Sequence, residues 1–384
     1  MIVGAGPAGA SAAYWLGEAG KRVLVLEKKH LPRYKACGGG VPRSVFDRFP
    51  FDFSPVIERE VRRVRFRFRD GREVAADLPG EPVAMVMRDQ FDAFILGHAR
   101  ADVRDGTEVL ALQQDDEGVT VTTRSGETFH ARYAIGADGA HSRVAREAGL
   151  HQGQPIGLTL EVEASADEAL LSEYADTVLF LFGSPERGYM WIFPKAKHLS
   201  VGVGSDGADV PTMRRSLKRE MARLGISIDG EQHRGSALPV YVEHHPLHQG
   251  RVALAGDAAG LVDPLLGEGI RHAIDSGRFA AEAVLADNLA GYTHRVQREI
   301  GNDLIWGLRW AALFYDHPWG SFELGVRNPR FLDEFARLLA GETTYRGMAI
   351  RAVPNLILGM LQRRPVEVVR GTTELTESTE KAIT

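Results

Sequence analysis

The sequence predicts an α/β chain: a nucleotide-binding α/β unit interleaved with a second, antiparallel sheet, followed by helices. Three observations carry this. The chain opens with a short apolar run, a glycine-rich turn, a helix and a second apolar strand, one βαβ unit within about 30 residues. Segments at 158–164, 177–182, 188–193 and 199–203, rich in β-branched, aromatic and apolar residues, read as antiparallel strands. From about residue 288 the pattern is mainly helical.

Composition sets the outer bounds. A chain of 384 residues exceeds what one hydrophobic core usually organises, so about two domains are expected. It is 44% hydrophobic and 25% charged, with a mean hydropathy of -0.17, which is ordinary for a globular protein. A net charge of -5 leaves no footprint for a polyanion, so nucleic acid is not an expected partner. The single cysteine, Cys37, excludes an internal disulfide and a Cys-rich metal site, and fits a reducing, cytoplasmic setting. No segment approaches the roughly 20 apolar residues of a spanning helix. The start reads as a nucleotide loop rather than a leader, although Met1, Ile2 and Val3 make a shorter lead-in than a full strand.

The elements follow in order. Small and apolar residues run from Pro7 to Leu16 as a helix, Gly20 closes it, and 22–26 is a buried parallel strand ending at Glu27. A Gly/Pro-rich loop spans 31–42 around Cys37. Residues 61–70 alternate Val64, Phe66 and Phe68 with arginines, a two-faced strand turned by Asp70-Gly71. A helix is expected at 87–99, a meander at 109–112, 119–123 and 128–131, and a short strand at 133–136. Helix 212–224, buried strand 251–255 and helix 269–286 complete the pattern, and the last ten or so residues are polar and frayed.

The first loop, Gly4-Ala5-Gly6-Pro7-Ala8-Gly9, has a physical purpose at each glycine. Gly4 permits the tight turn, Gly6 lets a pyrophosphate approach the backbone, and Gly9 allows close helix–strand packing. The helix beginning at Pro7 and Ala8 then presents free N–H groups and a positive dipole end to phosphates. Glu27, 18 residues past Gly9 with Lys28 beside it, can accept ribose hydroxyls and would repel a 2′-phosphate. Two later motifs separate FAD from NAD. One is Gly136-Ala137-Asp138-Gly139, continuing to Val144; the other is Gly256-Asp257-Ala258-Ala259-Gly260, continuing to Ile270. Asp257 can hold a ribityl hydroxyl, and the helix start at Gly267, Gly269 and Ile270 can point N–H groups at a flavin edge.

These three motifs resemble the FAD-binding fold of the aromatic hydroxylases, and within it most closely the geranylgeranyl reductase family. The loop Pro32-Arg33-Tyr34-Lys35-Ala36-Cys37-Gly38-Gly39-Gly40 resembles the family's Cys-x-Gly-Gly loop. Tyr189-Met190-Trp191-Ile192-Phe193-Pro194, then seven residues to Gly202-Val203-Gly204, is similar to its aromatic motif and trailing Gly-x-Gly. Asp263 to Ile270 is similar to its flavin-contacting segment. The likeness spans about residues 1–290 and adds Arg88 as an FAD contact. It implies a Rossmann-like FAD domain of residues 1–50, 81–150 and 251–290, a substrate domain of 51–80 and 151–250, and a helical region of 291–384.

The resemblance also implies chemistry: saturation of isolated C=C bonds in a prenyl chain. Reduced flavin must deliver hydride to one carbon while a proton reaches the other. Protonation at the less substituted carbon leaves tertiary-cation character, which favours a dry, aromatic-lined site. Tyr189, Trp191 and Phe193 lie on one strand face and can form such a wall. Cys37, flanked by Gly38 and Gly39, is implied to handle the proton or gate the site. The electron donor is NAD(P)H or a ferredoxin, and the substrate a prenyl lipid on an unnamed carrier. Apolar stretches 304–315 and 349–361 either bury against the core or touch a membrane surface. The alternative activity is a flavin monooxygenase or halogenase acting on an aromatic substrate, whose Trp-x-Trp-x-Ile-Pro pattern differs at Tyr189 and Phe193. No metal is expected; His244, His245 and His248 read as a solvated loop, and Arg62, Arg63, Arg65, Arg67 and Arg69 as a solvent face.

Overall fold

The computed structural model describes residues 1–150, 153 and 156–351. At its centre is a six-stranded sheet in the order His248–Gln249, Val252–Leu254, Ala134–Gly136, Ile2–Val3, Leu24–Leu26, Asp102–Arg104. Its pairs are parallel except the edge hairpin of His248–Gln249 with Val252–Leu254. Only two residues long, Ile2–Val3 still sits mid-sheet and is fully paired on both sides. Helix Pro7–Glu18 packs against helix Ile270–Leu285, where Ser11 Oγ donates to the Ile274 carbonyl at 2.8 Å. These strands and helices share one buried core, as expected for strands covered by helices.

A second sheet has seven strands in the order Arg234–Pro239, Ile156–Ser165, His198–Ser205, Gly188–Pro194, Thr177–Phe182, Arg63–Phe68, Glu73–Asp77. The expectation of an antiparallel sheet needs one correction: Thr177–Phe182 runs parallel to Arg63–Phe68. More than a hundred residues separate these strands, so no hairpin constrains their direction. Side chains alternate across the sheet with period two. Leu179, Leu181, Met190 and Ile192 face helix Val210–Arg223, through Met213, Leu217 and Met221. Phe66 and Phe180 face the opposite way, into a cluster with Trp310, Phe331 and Phe335 of the C-terminal helices. Two three-stranded sheets complete the fold: the expected meander Val109–Gln114, Val119–Thr123, Thr128–Ala131, and an unexpected one of Gly40–Pro42, Val83–Val86 and Ile57–Val61.

Stretch 304–315 lies in helix Asn302–Asp316 and buries Leu304, Gly307, Trp310 and Ala311. The second apolar stretch and the polar tail fall mostly outside the described residues. Arg63 pairs with Asp77, while Arg65 and Arg67 share Glu73, so neighbouring carboxylates match this arginine face. The histidine reading is corrected: His245 is buried, with Nε2 at 3.1 Å from the Ala259 carbonyl. His244 is exposed, as the solvated-loop reading expects, with Nδ1 hydrogen-bonded to the Tyr241 hydroxyl at 2.6 Å and Nε2 3.2 Å from Asn302 Oδ1. Among the described residues no group of three or more His, Cys, Asp or Glu is placed to hold a metal, and no helix is long and apolar enough to cross a membrane.

Candidate active site

One cavity of about 1010 Å³ runs from the first glycine loop to the aromatic strand of the large sheet. That is the upper end of the range for a ligand site. Helix Pro7–Glu18 and helix Ile270–Leu285 both open into it, through Gly6, Pro7 and Ala8 and through Gly267, Gly269 and Ile270. Neither helix start carries a side-chain cap, whereas helices Val210–Arg223 and Pro329–Leu339 are capped by Asp209 and Asn328. Two uncapped, positively polarised helix ends in one cavity fit an anionic pyrophosphate and an electron-rich ring edge. Gly4 has φ +102°, and a Cβ there would meet the Ala137 carbonyl oxygen at 2.2 Å. Gly9 is the one predicted site residue outside the cavity lining; a Cβ on it would lie 1.9 Å from the Gly4 carbonyl oxygen, so its part is packing.

The predicted polar residues line the cavity, several with protein partners already in place. Glu27 accepts from the Ala5 N–H at 2.8 Å and the Lys29 N–H at 3.0 Å, so it also fixes the glycine loop. Asp138 accepts from the Ser142 hydroxyl at 2.6 Å and the Arg143 N–H at 2.6 Å, which ties down the turn before helix Arg143–Glu147. Asp257 pairs with Lys35 at 2.8 Å; burial raises its carboxyl, but Lys35 together with the nearby Arg88 and Arg33 outweighs this and holds it below the usual range. Arg88 forms a two-pronged pair with Asp92 at 2.9 and 2.8 Å. Lys28 lines the same end as Glu27.

At the other end, loop 32–40 lies against the aromatic strand. Tyr189, Trp191 and Phe193 all line the cavity, on the face opposite Met190 and Ile192. Gly38 is required by these rings, and Gly39 by its left-handed backbone and the neighbouring strand Val83–Val86. A Cβ on Gly38 would meet Phe193 Cδ2 at 2.7 Å and Trp191 Nε1 at 3.0 Å. Gly39, at φ +68°, would meet the Val86 carbonyl oxygen at 2.1 Å. The sequence reading assigned this bareness to close approach of a flavin; the structure adds the aromatic wall itself as a reason. The Tyr189 hydroxyl donates to the Leu266 carbonyl, which couples the wall to the segment leading into Gly267.

A family model described as FAD binding domain matches residues 57–292, and one described as NAD(P)-binding Rossmann-like domain matches 2–60. The chain is 30% identical over 343 residues to a geranylgeranyl diphosphate reductase of Synechocystis, covering 82% of each. It belongs to the geranylgeranyl reductase family of FAD-dependent oxidoreductases. FAD is its cofactor. A menaquinone reductase of Mycolicibacterium smegmatis is 29% identical over 391 residues, 93% of this chain and 91% of that one. In fold, the chain is similar to a geranylgeranyl bacteriochlorophyll reductase-like protein from Thermoplasma acidophilum (TM-score 0.72, 22% identity, 94% and 95% covered). It is also similar to a flavin-dependent brominase (TM-score 0.69, 19% identity, 94% and 98% covered), so the family's fold is shared with halogenating enzymes.

Several residues of this reductase-family site escaped the sequence reading. Arg33 reaches Asp92 at 3.3 Å and Glu27 at 3.5 Å, beside Gly6. Glu161, on strand Ile156–Ser165, is buried and accepts from the Cys37 N–H at 2.6 Å, the Tyr34 hydroxyl at 2.9 Å and the Ser200 hydroxyl at 2.6 Å. Burial raises its carboxyl above the ordinary value, against these three donors. Lys195 is fully buried and donates to the Gly38 carbonyl at 2.7 Å and the Val86 carbonyl at 2.8 Å. Burial pulls its ammonium down to about 8, opposed by the neighbouring Cys37 and Glu161. The only available signals were two acids, Glu161 and Glu163, within an otherwise mostly apolar strand and a lysine just past Pro194. Neither says that its side chain is inside.

Proposed function

We propose that this FAD-dependent oxidoreductase saturates isolated C=C bonds of a prenyl chain. The observation that carries the reading is the single cavity in which the glycine-loop FAD site meets the Cys37 loop and the Tyr189, Trp191, Phe193 wall. Reduced FAD, when bound, supplies the hydride. The protein must then hold the alkene, keep water out and bring a proton. Val83, Met85, Val178, Phe180 and Leu339 extend the cavity with apolar surface suited to an isoprenoid tail. The three aromatic faces tolerate positive charge developing on the tertiary carbon. Cys37 is assigned to proton delivery, and Gly38 and Gly39 to its approach. Tyr189, tied to Leu266, keeps the wall in register with the helix end at Gly269. The interleaved domain division of the sequence reading belongs to the same proposal, with the cavity between the two units. NAD(P)H or a ferredoxin is the electron donor.

The test is anaerobic. Protein reduced by dithionite is mixed with geranylgeranyl diphosphate, which carries no quinone ring to reoxidise flavin in place of its alkenes. Flavin absorbance should return, and the prenyl product should gain two hydrogens per bond reduced. Reduced protein that no prenyl compound reoxidises counts against the reading, as does NAD(P)H oxidation that scales with an aromatic substrate in air. Cys37→Ala should keep its flavin and lose most alkene reduction; unchanged turnover would remove Cys37 from the mechanism. Peripheral membrane contact is part of the proposal too, since Trp319 is 52% and Leu313 42% exposed on the C-terminal helices. Failure to float with anionic liposomes would withdraw it.

A further inference from the structure

The loop that presents Cys37 has no regular structure between Arg33 and Gly39. Three glycines in succession give it wide conformational freedom, which costs entropy to restrict. Two buried charged side chains grip its backbone at adjacent residues. The Glu161 carboxylate takes the Cys37 N–H at 2.6 Å, and the Lys195 ammonium takes the Gly38 carbonyl at 2.7 Å. Glu161 comes from the large sheet and Lys195 from the turn just past its strand Gly188–Pro194, both on the side of the aromatic wall. Glu161 is in register with Gly202 and Gly202 with Trp191, so the acid and the indole project from one row of the sheet. Ser200 links them, donating to Glu161 at 2.6 Å while lying 3.4 Å from Trp191 Nε1. Lys195 also donates to the Val86 carbonyl, anchoring the grip to strand Val83–Val86.

We infer that Glu161 and Lys195 are positioning residues that hold the Cys37 loop against the aromatic wall in its reactive conformation. The inference rests on the prenyl-reduction reading for its kinetic consequence, not for the grip itself. Burying one carboxylate and one ammonium is costly unless their hydrogen bonds are made, and here the loop makes three of the five, through the Cys37 N–H, the Tyr34 hydroxyl and the Gly38 carbonyl. The same bonds that satisfy the charges therefore fix the loop. Neither side chain is asked to touch the alkene. Both act through Cys37.

Two measurements on FAD-loaded protein test this. Cys37 is the sole cysteine, so its alkylation by iodoacetamide is read unambiguously by mass and needs no substrate. Glu161→Ala frees the loop, and alkylation should speed up several-fold. Glu161→Gln keeps an oxygen for the Cys37 N–H and should stay near the parent rate. In single turnover, Glu161→Ala and Lys195→Met should be reduced by dithionite normally. Their reoxidation by geranylgeranyl diphosphate at saturation should fall by about 100-fold, the cost of an ångström-scale misplacement, with the half-saturating concentration little changed. Glu161→Gln should recover most of that loss. Parent-like alkylation in Glu161→Ala, or equal losses in Ala and Gln variants, overturns the inference. If the Ala or Met variant fails to fold, Ser200→Ala decides: it keeps both charged side chains but removes the donor that orients Glu161, so the Glu161 grip loosens and alkylation should speed up; a rate equal to the parent's counts against the grip. A parent that no prenyl compound reoxidises, with the alkylation pattern intact, fails the substrate reading and leaves the grip standing.

Discussion

Gly202 is where a single methyl group tests the aromatic wall. A Cβ there would lie 2.0 Å from Trp191 Cζ2, 2.4 Å from Cη2 and 2.5 Å from Cε2. Carbon atoms in contact prefer about 3.5–4.0 Å, so the indole must withdraw by about 1.5 Å. It has little room. Trp191 is buried, and Gly38 of the Cys37 loop lies against its pyrrole edge, a Cβ position there falling 3.0 Å from Trp191 Nε1. Gly202→Ala therefore pushes the ring toward the Cys37 loop. Overpacking of this kind costs about 1–3 kcal/mol. At about 2.1 cal/mol/K per residue the melting entropy of this chain is about 0.8 kcal/mol/K, so the melting temperature should fall by about 1–4 °C. Alkene reduction should fall more steeply, by about 100-fold, because the displaced ring lies beside the reacting groups. The assay is a double-mutant cycle with Trp191→Phe, read by melting and by flavin reoxidation. The smaller ring gives the new methyl its space, so the pair should show a favourable coupling of about 0.5–3 kcal/mol. Additive losses, or Gly202→Ala with parent-like turnover, would refute the packing argument.

Other expected outcomes concern pH and the nucleotide loop. Burial pushes the Asp263 carboxyl up to about 6 from 3.8, so the stability it contributes is full below about pH 4 and lost as pH rises through 6. Burial pulls the His272 ring down to about 4 from 6.5, so its contribution is full above 6.5 and lost as pH falls toward 4. The two slopes oppose each other. Asp263→Asn should leave stability falling on acidification from about pH 6.5 to 4, and His272→Asn should leave it rising over pH 6 to 4, by up to about 1.4 kcal/mol per pH unit. Denaturant midpoints across this window check both, and unchanged slopes would dismiss the pair. Gly9→Ala places a methyl 1.9 Å from the Gly4 carbonyl oxygen and should purify without flavin; a yellow variant with parent affinity contradicts the packing part given to Gly9.

Much of the FAD end was legible from the sequence because its physics is local. A glycine that must turn, a glycine that must pack and an acid closing the next strand all lie within one βαβ unit, and each constraint falls on a particular residue type. The strands Thr177–Phe182 and Gly188–Pro194 were legible for a similar reason: a short, nearly continuous apolar run marks a strand buried on both faces. The parallel pairing of Arg63–Phe68 with Thr177–Phe182 was not, since register between distant strands leaves no local mark. Short strands such as Gly40–Pro42 and Val83–Val86 were missed because three or four residues are too few to show a period.

What the sequence determined alone was the succession of nucleotide motifs, the aromatic alternation at 189–193 and the lone thiol beside three glycines. Tertiary structure decided which of these meet, and what holds them together. Glu161 and Lys195 read as surface-type residues along the chain, yet folding buries both against the Cys37 loop. The physical reason is that a buried charge is tolerated only where partners from other segments satisfy it. Those partners are backbone atoms of residues 124 and 157 positions away, which no local pattern can encode.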